Sequence, residues 1–144
     1  MLYIFLMIKQ SLNGINKMSL TNCLLDRKYS IYKEIGVGRN SIVYVGVNQE
    51  DKKEYAIKLY NLGLLESVDK IQAMKKKLTM EYSLLKKLES PNFVKGYDFY
   101  ESKKFVAVVY ELLPNLTLAD QIKKKKLPGE DCKDILKQII IALD

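Results

Sequence analysis

The stretch Ile35-Gly36-Val37-Gly38-Arg39-Asn40-Ser41-Ile42-Val43, with Tyr55-Ala56-Ile57-Lys58 a short distance downstream, decides how the rest of the chain is read. Two glycines separated by one residue describe a tight loop, because glycine tolerates positive φ and lets backbone approach a ligand with no Cβ in the way. Val43-Tyr44-Val45 and Ala56-Ile57-Lys58-Leu59-Tyr60 both read as strands. The loop therefore joins strand to strand. A dinucleotide-binding loop instead opens a helix and has an acidic residue about 20 positions on; here that place is held by Lys58. The Walker A pattern also fails, since no Gly-Lys-Ser/Thr follows. What remains is a phosphate-binding loop folded between two strands and lying over a lysine on the third.

Working outward, residues 29–35 carry a β pattern before the loop, and residues 41–47 and 54–60 carry it after, with the polar turn 48–53 between them. Three antiparallel strands in succession make a meander. Then Ile71, Met74, Leu78, Tyr82, Leu85 and Leu88 recur at spacings of three and four, one apolar stripe of a long helix. Ser90-Pro91-Asn92 stops it, since proline disfavours helix at the residue before it. Two further strands are expected over residues 93–100 and 103–111. Phe105-Val106-Ala107-Val108-Val109 is continuously apolar, as in a strand covered on both faces. A short helix over 118–126 and an amphipathic one over 130–143 complete an α+β chain: a five-stranded antiparallel sheet with one long helix, then one or two more helices.

Composition narrows the function classes. The chain has 144 residues, 48% hydrophobic and 28% charged, which suits one globular domain. The net charge is +7, but the lysines fall in separate elements (75–77, 86–87, 103–104 and 123–126). Solvated helix faces and loops explain them better than a site for nucleic acid or an anionic membrane. Two distant cysteines, Cys23 and Cys132, give neither a zinc pattern nor a disulfide framework and fit a reducing, cytoplasmic setting. The sequence has no histidine, which excludes His-based catalysis and leaves metal chemistry few ligands. The apolar run of residues 1–8 is far short of the ~20 residues of a membrane span, and it lacks the basic leader of a signal peptide. Met18 offers a second possible start, and residues 1–28 are expected to form a poorly ordered extension.

Ala56 and Lys58 are two apart on a strand and so share a face; Val43 can join them from the next strand. A small Ala and a branched Val can sandwich a flat ring while Lys58 reaches anionic oxygens. A lysine snorkelling at the surface is the plainer alternative. Glu81 lies beside the apolar stripe of the long helix, and a carboxylate there needs a cation. Lys58 is one candidate; Lys77, four residues before Glu81, is the other.

These segments occur in one order with Met80-Glu81-Tyr82, Ser90-Pro91-Asn92-Phe93-Val94-Lys95 and Val109-Tyr110-Glu111-Leu112-Leu113. That order resembles the N-terminal lobe of eukaryotic-type, Ser/Thr-like protein kinases, over residues 29–144. The resemblance implies a kinase-like lobe at 29–113 with an ATP-binding loop, and a hinge exit with the start of a helical C-lobe at 114–144. It implies that Gly36 and Gly38, with Val37, Arg39, Asn40 and Ser41, form a loop over the ATP phosphates, Ser41 replacing the family's third glycine. Ile35, Val43 and Ala56 would contact adenine. Lys58, held by an ion pair with Glu81, would bind the α- and β-phosphates. Tyr110 would be the gatekeeper, the backbone of Glu111 and Leu113 would meet the adenine edge, and Thr117 or Asp120 would reach the ribose.

The departures bear on activity. The His-Arg-Asp-x-x-x-x-Asn loop and Asp-Phe-Gly, which supply the kinase base and metal ligands, are not in this sequence. The resemblance places residue 144 inside the helix before the catalytic loop, so the chain reads as a truncated kinase that positions ATP (and Mg²⁺ carried with it) but has no catalytic residue or metal ligand of its own. A non-catalytic nucleotide-binding or protein-interaction module is the alternative. Implied partners are ATP, a protein substrate of the complete kinase, and a partner covering the last helix at Ile135, Ile139, Ile140 and Leu143; no specific nucleic acid and no transmembrane segment is expected.

Overall fold

Alternation along each strand decides which residues line which face, and the computed structural model, which describes residues 23–113, 117–124 and 128–143, bears out the α+β expectation. Six antiparallel strands form one sheet: β1 (Cys23–Leu25), β2 (Tyr29–Val37), β3 (Ser41–Asn48), β4 (Glu54–Asn61), β5 (Gly96–Glu101) and β6 (Phe105–Glu111). Their spatial order is β1-β2-β3-β4-β6-β5, so the first four form a meander and β6 inserts between β4 and β5. The helices are α1 (Val68–Lys87), α2 (Leu118–Lys123) and α3 (Gly129–Leu143), with a 3₁₀ turn at Leu62–Leu64.

The extra strand, β1, raises the expected count of five to six; most of the expected extension over 1–28 lies outside the described residues. Cys23, Leu24 and Leu25 pair with Ile31, Ser30 and Tyr29 through a tight turn in which Asp26 and Arg27 both have positive φ (49° and 58°). The Lys28 amide closes this turn on the Leu25 carbonyl at 3.0 Å, with positive φ at both central residues as in the primed turns that suit right-handed strand twist, and Asp26, Arg27 and Lys28 separate the paired Leu25 and Tyr29. Cys23 and Leu25 point inward and are buried, while Leu24 is exposed.

Two apolar layers result. On the inner face of the curled sheet, Cys23, Leu25, Tyr29, Ile31, Tyr44, Tyr55, Ile57, Leu59, Ala107 and Val109 form one cluster. It is spanned by edge-on tyrosine contacts, Tyr29–Tyr55 at 5.5 Å and Tyr55–Tyr97 at 4.9 Å between ring centroids. On the opposite face Leu62, Leu78, Val106 and Val108 form a second cluster, against which Ile71, Met74 and Tyr82 of the α1 stripe pack. The strand β6 is thus covered on both sides, as its continuous apolar run demands.

α1 begins where Ser67 takes the amide of Lys70 on its side chain, with Asp69 in the first turn and Lys86 and Lys87 in the last, all favourable to the helix dipole. Lys75 to Glu101 (2.9 Å) and the Tyr82 hydroxyl donating to the Tyr97 carbonyl (2.9 Å) bind it to β5. Ser67→Ala is expected to cost about 1 kcal/mol, read as a lower urea midpoint with an unchanged slope; an unchanged midpoint would show that the cap contributes nothing.

Candidate functional site

Strand register brings the sequence-selected residues together. Val43 lies opposite Lys58, and Lys58 opposite Val108; Val45 lies opposite Ala56, and Ala56 opposite Tyr110. Directly opposed residues share a face, so two short rows cross β3, β4 and β6 on the α1 side of the sheet. Ala56 is the smallest side chain in its row, and Lys58 is half-buried between apolar neighbours. Gly36 pairs with Val43 across a bulge that leaves Ile35 as the extra residue on β2, and Ile35 is exposed.

The loop itself is tightly made. The Gly38 amide donates to the Ser41 carbonyl at 2.7 Å. A Cβ on Gly38 would lie 3.0 Å from the Ser41 hydroxyl and 3.4 Å from its carbonyl oxygen, so a side chain there would need the Ser41 hydroxyl to give way. Gly36 is less constrained, with Val43 Cβ at 3.8 Å from a built Cβ. The Asn40 carbonyl accepts from the Asn61 amide at 3.0 Å, pinning the loop tip to the end of β4. Val37 and Arg39 are exposed, and Asn40 and Ser41 partly so.

Lys58 and Glu81 are placed differently from the ion pair that the resemblance implies. The Lys58 ammonium lies over the ring of Tyr60, 5.1 Å from its centroid. Glu81 pairs with Lys77 at 3.8 Å, both side chains being largely exposed. Among the described residues no Lys58–Glu81 ion pair forms. Geometry explains this: Lys77 is one helical turn from Glu81, whereas Tyr60 shares the face of Lys58 two residues along the same strand. Glu81 still acts on the site electrostatically. Tyr110 is pushed up to about 12, chiefly by burial, with Tyr60 and Glu81 adding to the shift and Lys58 opposing it. Tyr60 is raised by burial and then by Glu81, while its hydroxyl interaction with Tyr110 works the other way. Tyr60 was not among the residues selected from the sequence, although its alternation with Lys58 places it on the same face.

At the far end of β6 the Glu111 amide donates to the Lys95 carbonyl (2.9 Å), and the Glu111 carboxylate accepts from the Lys95 amide (2.8 Å). Leu113 is exposed. Thr117 and Asp120 engage each other at the start of α2: the Thr117 hydroxyl donates to the Asp120 carboxylate (2.6 Å) and accepts from its amide (3.1 Å). A separate open groove of about 470 Å³ lies at the C-terminal end of α1, lined by Leu85, Leu88, Pro91 and Tyr97, with Lys86 and Lys95 at its rim. It contains none of the glycine-loop residues and none from β3, β4 or β6. Among the described residues no cluster of three or more His, Cys, Asp or Glu side chains could hold a metal ion, and no helix is long and apolar enough to cross a membrane.

Comparison with known proteins bears on the whole arrangement. Residues 29–144 match the protein kinase domain family. The chain is 32% identical over 116 residues to a probable myosin light chain kinase of Dictyostelium discoideum, covering 80% of this chain and 34% of that protein. It is 32% identical over 120 residues to myosin light chain kinase A of the same organism, covering 83% of this chain and 39% of that protein. A probable serine/threonine-protein kinase, also from Dictyostelium discoideum, is 30% identical over 150 residues, covering 96% of this chain and 25% of that protein. The chain thus spans between a quarter and two fifths of the length of these relatives. A glycine loop between antiparallel strands, a lysine on the next strand, a helix packed behind it and a family match over most of the sequence agree: this chain belongs to the protein kinase domain family.

Proposed function

We propose that this chain is the ATP-binding portion of a Ser/Thr-type protein kinase, holding the nucleotide on the sheet face beneath the glycine loop. The observation that carries this reading is the pair of rows Val43–Lys58–Val108 and Val45–Ala56–Tyr110, with Gly36 of the loop strand paired beside Val43 at the end of the first. The residues suit the group: Ala56 leaves room for a flat ring beside Val43, and Gly38 keeps the loop free of a side chain that would crowd Ser41. Ile35, Val43 and Ala56 would contact the adenine, and Tyr110 would bound the pocket at the back. The Glu111 amide is already committed to Lys95, so hydrogen bonding to the adenine edge falls to the Glu111 carbonyl and the Leu113 backbone. Thr117 or Asp120 would meet the ribose.

Lys58 would bind the α- and β-phosphates, with backbone from Gly36 to Ser41 covering them; in the occupied site Glu81 would exchange Lys77 for Lys58. ATP supplies the transferable phosphoryl group and brings Mg²⁺ with it. The residues of this chain bind, orient and shield; neither a catalytic base nor a metal-binding Asp-Phe-Gly is present in the sequence. Phosphoryl transfer to Ser or Thr of a protein substrate is the reaction to which such a portion contributes, in an intracellular, cytoplasmic setting. A non-catalytic nucleotide-binding or interaction module is favoured by one feature, the engagement of Lys58 with Tyr60 in place of a carboxylate.

Titration of the chain with ATP–Mg²⁺ tests the reading. Weak but saturable binding is expected. Lys58→Ala should weaken it about tenfold, the scale of one charge-assisted phosphate contact. Equal affinity of the two proteins removes Lys58 from the site.

A further inference from the structure

Lys58 is the half-buried cation of the candidate site, and its direct contact is aromatic rather than acidic. We propose that Tyr60 is a positioning residue for Lys58: its ring holds the ammonium in the nucleotide-free chain, and phosphate binding must draw the lysine off that ring. The proposal rests on the reading of Lys58 as the phosphate ligand and adds what governs its availability.

Three observations support it. First, the two side chains differ in freedom. The Tyr60 ring packs, beside that of Tyr110, on the cluster of Leu62, Leu78, Val106 and Val108. The ring is therefore fixed, while Lys58 has a flexible four-carbon stem that can swing to a new partner. Second, an ammonium over a partly desolvated ring gains attraction from the ring quadrupole, and no carboxylate of the described residues lies within ion-pairing distance of Lys58 to compete. Third, Tyr82, next to Glu81 on α1, packs on the same cluster as Tyr60 and Tyr110, and Glu81 helps raise both phenols, so the carboxylate that would receive Lys58 on release belongs to the helix turn that covers this face.

A ring that competes with phosphate for Lys58 weakens nucleotide binding by the strength of the contact it forfeits. A cation–π contact of this kind corresponds to a factor of about three in affinity. The test compares ATP–Mg²⁺ titrations of the native chain, Tyr60→Phe and Tyr60→Leu, together with the Lys58 ε-methylene proton shifts, which ring current moves upfield. Upfield ε-protons are expected in the native chain and in Tyr60→Phe, which keeps the ring, and they should relax downfield on saturation with ATP–Mg²⁺. In Tyr60→Leu the shielding should vanish and affinity rise about threefold, while Tyr60→Phe should bind as the native chain does. Tyr60→Met, longer and better able to fill the space, replaces Leu if that variant does not fold. Ordinary Lys58 shifts in the native chain overturn the tether. Equal losses of affinity in Tyr60→Phe and Tyr60→Leu also overturn it, marking Tyr60 as a packing residue alone. Shielded Lys58 protons that ATP–Mg²⁺ leaves unmoved, with no binding in any variant, overturn the phosphate reading and the exchange built on it; the persisting shielding tells that failure from a missing tether.

Discussion

Asp98→Ala should lower the unfolding free energy by about 2–3 kcal/mol, the range for hydrogen bonds to a charged group whose loss leaves a buried donor unpaired. Asp98 lies on β5, at the opposite edge of the sheet from β1 and β2. Its carboxylate accepts from the Tyr29 hydroxyl and from the Lys28 ammonium, the latter at 2.9 Å. Tyr29 is 1% exposed, so its orphaned hydroxyl would find little water. The contact spans nearly seventy residues of sequence and draws the two ends of the curled sheet together. Asp98→Asn keeps an acceptor and loses the charge, so its cost should fall between native and Ala.

The same contact sets the pH dependence. Burial pushes the Asp98 carboxyl up, but the Tyr29 and Lys28 hydrogen bonds outweigh it and leave the group below its ordinary 3.8. A depressed carboxyl stabilises the fold above its unfolded value, and that stability is lost as pH falls through the folded value. Tyrosine works in the other direction. Tyr29 and Tyr100 are raised well above 10, chiefly by burial. Tyr110 is pushed to about 12 by burial, and Tyr55 to about 12, chiefly by its hydrogen bond to Asp51. Their contribution is complete below pH 10 and is lost as pH rises past it toward the folded values. Urea midpoints should therefore be flat near neutrality, fall below about pH 4 and fall again above about pH 10. Asp98→Ala should flatten the acid limb and leave much of the alkaline limb. An Asp98→Ala protein with the native midpoint at pH 7, or with the native acid slope, would remove Asp98 from the closure of the sheet.

What the sequence discloses depends on the range over which each feature is determined. Strands β3, β4 and β6 and the stripe of α1 are written in local periodicity, and the residues that alternation assigns to one face do meet: Val43, Ala56 and Lys58 fall into adjacent rows. The strand β1 escaped because its hairpin uses Asp26-Arg27 at positive φ, where Asn-Gly or Asp-Gly is the recognisable signal. The attachment of Tyr29 to Asp98 escaped because no local pattern links residues 69 apart. The partner of Lys58 was the hardest to foresee. Glu81 has a lysine one turn away on its own helix, and Lys58 has an aromatic ring two residues along its own strand. In each case a nearby partner engages a side chain for which the resemblance implies a distant one.

The second large effect concerns the layer beneath the site. Ile57 is fully buried and stands between Ala56 and Lys58 on β4, pointing to the inner face. Its Cδ1 lies 2.5 Å from where a Cβ on Gly46 would be, and the Ser30 carbonyl lies at 3.3 Å. Ile57 thus fills the space that glycine leaves on β3. Ile57→Ala should cost about 2–5 kcal/mol through lost burial and a cavity. Gly46→Ala should cost about 1–3 kcal/mol by overpacking, and Ile57→Val, which removes the clashing methyl, about 0.5–1.5 kcal/mol. Because the two changes are complementary, Gly46→Ala with Ile57→Val should lose about 1 kcal/mol less than the sum of the single losses, well within the coupling seen between touching residues. Rescue should be incomplete, since backbone at Ser30 cannot retreat as a side chain can. Strict additivity in urea unfolding would mean that Gly46 and Ile57 do not share this space. Ile57 also connects the core to function: its neighbours in sequence face the opposite side, so any slip that relieves strain at Ile57 shifts Ala56 and Lys58 together against Val45, Val43 and Tyr110. A fall in ATP affinity for folded Ile57→Ala, recovered in the complementary double variant, is the expected sign that inner packing holds the outer rows in register.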